Sequence, residues 1–306
     1  MVNVNNRRIN KRKKNYKLLL WLLPFMIPVV LFSYVPLFGW VIAFFEYRPG
    51  SMLSSANFVG LKYFRQFLTD TIDMSRVIKN TLIFASLGLA TSVLPMVFAI
   101  LLNEVRSRRY ARTVQSITTF PNFISWVIVY SMAFAIFSTD GVLNQILMGL
   151  GLTESPTNLL ADVKAVYWFQ TLLSVWKSLG WGSIVYLAAI SGISQELYEA
   201  AAVDGAGHFR RAIHITVPSI METFIVLLLL SIGNFISVGF DQYFIFQNPV
   251  TLRKLEVLDL YVYRLGLLNN DYSYSTAIGM VKSLISLVMI FGANQLAKKV
   301  RGTAII

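Results

Sequence analysis

Glu199-Ala200-Ala201-Ala202-Val203-Asp204-Gly205-Ala206-Gly207-His208-Phe209-Arg210-Arg211-Ala212-Ile213-His214-Ile215-Thr216-Val217-Pro218 lies between two apolar runs, Ala165 to Ile190 and Thr223 to Phe240. Of the long connections in this chain it alone combines charge, helical periodicity, small residues and a glycine break. The three alanines leave room for another backbone to approach, and Gly205 and Gly207 permit a sharp bend between two short helices. Ser194 is placed to cap the first helix, and Glu196 stands where a helix N-terminus favours a carboxylate. The stretch reads as a docking foot held between membrane spans.

Composition supports the spans. Of 306 residues, 56% are hydrophobic and 14% charged, and the mean hydropathy is +0.60, values of a polytopic membrane protein rather than a soluble domain. The net charge of +12 is spread over short loops, which suits a membrane surface and not nucleic acid. The chain has no cysteine, which removes disulfides, thiolate metal sites and cysteine nucleophiles.

Working outward, six spans are expected at about 18–45, 81–102, 113–139, 165–190, 223–240 and 275–297, giving an all-α integral membrane protein. Residues 1–17 carry seven basic residues and no acid and form a basic internal tail. Pro24, Pro28 and Pro36 foretell bends in the first span, and Pro121 a break in the third. Tyr63, Phe64 and Phe67 suggest a short helix resting at the bilayer edge. Arg106, Arg108, Arg109 and Arg112 follow the second span; Lys298, Lys299 and Arg301 follow the sixth. By the positive-inside rule both termini and the foot, 195–218, are cytoplasmic, with 299–306 a short internal tail.

Glu199-Ala200-Ala201, Asp204-Gly205-Ala206 and Ile215-Thr216-Val217-Pro218 fall at the spacing of the EAA loop, and the chain resembles the permeases of ABC importers. Tyr34-x-Pro36-Leu37-x-Gly39, Asn57-Phe58-Val59-Gly60-Leu61, Asn80-Thr81 and Leu187-Ala188-Ala189-Ile190 resemble the carbohydrate branch, maltose-type and large-oligosaccharide permeases. Val217, where leucine is commoner, is a conservative departure. The resemblance implies a multi-pass subunit of the bacterial cell membrane. It implies a second permease chain, two ATP-binding cassette ATPases that carry ATP and Mg, an extracellular substrate-binding lipoprotein, and a sugar cargo moved by alternating access. It assigns ATPase coupling to Glu199, Ala200, Ala201, Asp204, Gly205, Ala206 and Pro218. Within that scheme Asp204 is expected to hold the Gly205 turn by local hydrogen bonds.

No G-x-x-x-x-G-K-[ST] stretch is present, so this chain has no P-loop of its own. His208 and His214 lack the spacing of a helical metal pair and read as surface residues. Inside the spans polar groups are informative, because a charge at the bilayer centre costs about 2.5–3.5 kcal/mol. Lys177, beside Trp176, Gly180 and Trp181, must find a partner, a wet cavity or another subunit, whereas Lys282 can snorkel to the surface. Asn122, Trp126 and Tyr130 are spaced four apart, one face of a helix, and with Asn234 and Asp241 they are candidates for a sugar path of amides and aromatic rings. Each has a packing alternative, since asparagines join helices and aromatic residues anchor span ends. A secondary transporter would carry mid-span acids for ion coupling, a membrane enzyme convergent acids and histidines; neither pattern is present. A non-ABC secondary transporter, or an ABC importer of a solute other than sugar, remains as the alternative reading.

Overall fold

A computed structural model describes residues 20–50, 54, 57–70 and 72–301; the expected tail at 1–17 and most of that at 299–306 lie outside these. The described residues are helical, with one isolated bridge between Phe45 and Phe58 as their extended pairing. Six stretches are long and apolar enough to cross a membrane: Leu20–Phe44, Asp73–Asn103, Trp126–Gly149, Val166–Ser191, His208–Gly233 and Tyr272–Lys299.

The chain forms two compact units. The first contains α1 (Leu20–Phe44), α2 (Lys62–Thr69) and the start of α15 (Tyr272–Arg301). Within α1 the winding changes to a π turn at Val30–Tyr34 and then to 3-10 geometry over Val35–Phe44, as expected where Pro28 and Pro36 remove backbone donors. Two of the rings expected on an interfacial face pack inside the chain: Tyr63 is buried and stacks on Tyr274 at 6.3 Å, and Phe64 meets Phe44 at 5.4 Å, contacts that aromatic rings favour.

The second unit holds the remaining helices. α3 (Asp73–Thr91) and α4 (Leu94–Asn103) meet at a bend before Pro95. α3 begins eight positions earlier than the apolar run suggests, because its polar residues are paired: the Asn80 side chain donates to the carbonyls of Arg253 (2.9 Å) and Glu256 (3.1 Å). Residues 113–139 are not one helix. They comprise α5 (Arg108–Thr119), a 3-10 turn at Phe120–Phe123, extended backbone at Ile124 and Ser125, and α6 (Trp126–Phe137); a turn then leads into α7 (Val142–Gly149).

α8 (Val166–Ser191) is the central post, against which α4 and α5 pack. Gly180 permits that packing, since a Cβ there would lie 2.3 Å from the Thr118 carbonyl carbon. After α9 (Gln195–Val203) and α10 (His208–Arg211), α11 (Val217–Gly233) runs back. It stops at Gly233, short of the expected 240, and Gly239 adopts φ +104 in the irregular segment beyond. α12 (Asp241–Phe246), α13 (Leu252–Leu255) and α14 (Leu258–Tyr263) build a packed cap. Its Phe246, Leu255, Val257 and Leu260 join Phe84, Val129 and Val166 in one apolar core. Glu256, fully buried, is held between Arg76 (3.0 Å) and Arg264 (2.9 Å).

Candidate functional site

Two features stand apart from this packing: an exposed two-helix foot and a polar cleft among the spans. In the foot, the Ser194 hydroxyl accepts from the Glu196 N–H at 3.3 Å and opens α9. α9 closes in a Schellman turn: the Ala206 N–H donates to Ala201 O (2.8 Å), the Gly205 N–H to Ala202 O (3.1 Å), and Gly205 takes φ +74, the left-handed position at which glycine carries no Cβ penalty. The sequence assigns the hold on this turn to the Asp204 side chain; in the structure backbone bonds of Asp204, Gly205 and Ala206 make it instead. The reason is geometric, since the helix's last carbonyls already satisfy the turn's N–H groups.

Glu199 and Ala200 are exposed, with Ala201 and Ala206 half-buried beside them. The Glu199 carboxylate makes no ion pair among the described residues. Val203 (89% exposed) and Phe209 (79%) add apolar surface. Pro218 does not terminate the second short helix. The chain winds on from α10 through a π turn, Ala212–Thr216, into α11, because a wider turn accommodates the donor that proline lacks. Foot and span are tied by Tyr198 Oη to Thr216 Oγ1 (2.9 Å), and the foot is tied to α4 by His208 Nδ1 to Glu104 Oε2 (2.8 Å). The second histidine, His214, meets the Arg210 carbonyl at 2.9 Å. A recess of about 460 Å³ beside the foot is walled by Arg106, Arg108, Arg112, Arg211 and Glu104 among others.

The cleft, about 450 Å³, opens between α3, α8, α11 and the segment after it. Thr91, Gln170, Thr171, Ser174, Ser231, Asn234 and Ser237 supply its polar wall; Phe84, Phe235 and Tyr243 supply rings. A smaller void of about 130 Å³ shares Gly88, Thr91 and Ser174 with it and continues along α3 and α8 past Ser92 and Ser178. The Gln242 amide donates to Gln170 O and Oε1, both at 2.8 Å, fixing α12 at the cleft's edge. Burial raises the Tyr243 hydroxyl pKa well above its ordinary value, so it stays a neutral donor.

Of the polar path candidates, Asn234 lines the cleft. Asn122, Trp126 and Tyr130 do not share a helix face, because Asn122 lies in the 3-10 turn and the backbone is extended before α6. Trp126 and Tyr130 pack edge-on against Phe246, at 6.3 and 5.1 Å. Lys177 reaches the gap in the third crossing: its ammonium donates to the carbonyls of Pro121 (3.0 Å), Asn122 (2.9 Å) and Ile124. Three donors meet three acceptors, and the charge is satisfied inside the chain. Lys282 does not snorkel but pairs with Asp259. Trp176 is partly exposed and Asp241 exposed at the start of α12; neither lines the cleft. The hydroxyls along α3, α8 and α11 escaped the sequence reading, since serine and threonine in an apolar helix satisfy themselves on their own backbone and leave little periodic signal.

Comparison with known proteins gives the frame for both features. Residues 92–302 match the family described as binding-protein-dependent transport system inner membrane component. Protein LplB of Bacillus subtilis (strain 168) is 42% identical over 94% of this chain and 90% of its own length. The polygalacturonan/rhamnogalacturonan transport system permease protein YteP of the same organism is 39% identical over 92% and 88%. A chain in the crystal structure of a bacterial alginate ABC transporter, in complex with alginate pentasaccharide-bound periplasmic protein, superposes with a TM-score of 0.87 at 32% identity, covering 97% of this chain and 99% of that one. On its own helices and on these matches, the chain belongs to the binding-protein-dependent inner membrane components, the multi-pass permeases of ABC transporters, and is not an enzyme.

Proposed function

We propose that this chain is one half of the pore of a carbohydrate ABC importer and that α9 and α10 are the foot through which ATPase subunits move it. The observation that carries the coupling role is the foot itself: an exposed helix with a free acid and a small-residue face, closed by a glycine at φ +74 and continuous in winding with a membrane span. On this reading Glu199 meets a basic group of the ATPase, and Ala200 and Ala201 allow close approach. Gly205, Asp204 and Ala206 shape the bend, and Pro218 with its π turn passes the movement into α11. ATP and Mg reside on two partner ATPases, a second permease closes the pore from the other side, and an extracellular binding lipoprotein delivers the glycan.

The cleft on α3, α8 and α11 is this chain's contribution to the path, which puts Asn234 in contact with cargo. Lys177, Trp126 and Tyr130 serve the wall behind it. Both termini and the foot face the cytoplasm. Affinity purification of the chain from its native host tests the assembly: an ATPase and a second permease should co-elute in stoichiometric amounts, and Glu199→Arg should release the ATPase while the permease pair stays together. Retention of the ATPase by that variant at wild-type affinity would refute the role given to the foot.

A further inference from the structure

We infer that the cargo passing this chain's cleft is an uncharged glycan, read through its hydroxyls and ring faces, rather than a uronate; the inference rests on the cleft being the path. None of the residues that line the cleft or the void continuing from it is ionisable at neutral pH. Lys177, on the same helix as Ser174, has all three ammonium protons engaged by carbonyls and none to offer. A carboxylate passing this wall finds no counter-ion on this chain to replace the hydration it gives up.

The hydroxyls present suit a different cargo. Thr91, Thr171 and Ser231 donate to carbonyls of their own helices, at 2.9, 2.8 and 2.9 Å. Asn234 donates to Leu230 O at 3.2 Å. The three hydroxyls therefore offer lone pairs to the cleft, which attract O–H donors and repel carboxylate oxygens, while Asn234 keeps one N–H and its amide oxygen. Sugar hydroxyls are such donors. Phe235, half-buried, lines the cleft beside them and is the ring on which a sugar's C–H face packs; Phe84 and Tyr243, ring centroids 4.6 Å apart, are buried behind it. YteP and the alginate transporter both carry acidic glycans in their descriptions; the uncharged lining of this cleft argues for a different cargo here.

The test uses the assembled importer with its own binding protein in proteoliposomes. Stimulation of ATP hydrolysis and uptake are measured with paired oligosaccharides of equal length, one set of neutral hexoses or pentoses and one of the corresponding uronates. Neutral glycans should exceed their uronate partners by at least about tenfold. A uronate that matches or beats its neutral partner overturns the inference, as does a failure of every neutral glycan to stimulate. A second arm examines the cleft: Ser231→Leu and Asn234→Leu, checked for intact assembly by size-exclusion chromatography, should each cut uptake of the stimulating glycan about tenfold through lost hydrogen bonds and filled volume. Unchanged uptake in both would remove the cleft from the path, an outcome distinct from uronate preference in the wild type.

Discussion

Lys177 shows how one residue's role changes when its neighbours are known. A lone mid-span lysine is costly and therefore suggestive of transport, yet its protons go to the carbonyls of Asn122 and Ile124 at the break and to that of Pro121, which also accepts the Ile124 N–H. Lys177→Met is expected to lower stability by about 1–3 kcal/mol, the cost of stranding buried acceptors, while transport per folded complex stays near wild type. Denaturation in mild detergent alongside uptake checks this; loss of uptake at unchanged stability would return Lys177 to the path. Glu256 is a second case. Burial raises its carboxyl pKa, with the Arg264 and Arg76 guanidiniums pulling the other way. Glu256→Ala strips Arg264 of its carboxylate and leaves Arg76 only Asp73, and should cost about 3–5 kcal/mol, seen as a large drop in melting temperature. Nearby, burial and the adjacent Asp70 push the Tyr261 hydroxyl up to about 12, so it remains a hydrogen-bond donor at every physiological pH.

At the level of elements, the foot and the α5–α8 contact depend on glycine for different reasons. At Gly205 a Cβ meets open space, so the constraint is the positive φ alone. Gly205→Asn should therefore retain most transport, because asparagine tolerates the left-handed region, whereas Gly205→Val adds roughly 1–2 kcal/mol of strain or more and should uncouple ATP hydrolysis from uptake. Equal activity of the two variants would show that the turn's conformation is not what matters. At Gly180 the backbone is ordinary and the space is absent. Gly180→Val must push α5 from α8, and its expected signature is poor recovery of folded protein rather than a selective defect in coupling. The foot could be read in the sequence because its caps are local: Ser194 opens the helix and Gly205 closes it within a few residues. The α5–α8 contact joins residues some sixty positions apart and leaves only a glycine as trace.

Across the whole molecule, topology is the property most directly testable, and the absence of cysteine makes the experiment clean. A single Gly207→Cys variant should react with an impermeant maleimide only after the membrane is opened or inverted, placing the foot inside. Labelling in intact cells would reverse the proposed orientation and with it the coupling scheme. The exposed apolar surface of α1, where Trp21, Phe25, Phe32 and Phe38 are each 75–80% exposed, is the surface expected of a helix in lipid, where an apolar face needs no protein cover.

The amino-acid order alone determined that the chain is helical, crosses a membrane about six times and carries a bent foot between the fourth and fifth crossings. Each of these follows from local rules: apolar run length, charge excluded from hydrocarbon, and cap and turn residues close in sequence. The resemblance it carries supplied the family. Only tertiary structure decided which polar groups line the cleft. Lys177, Trp126 and Tyr130 look functional in isolation but are taken up by Pro121, Asn122, Ile124 and Phe246. Plain serines and threonines are left lining the cleft with Asn234. In a bilayer, hydrogen bonds and charges must be satisfied within the protein, and partners far apart in the chain settle which groups remain free.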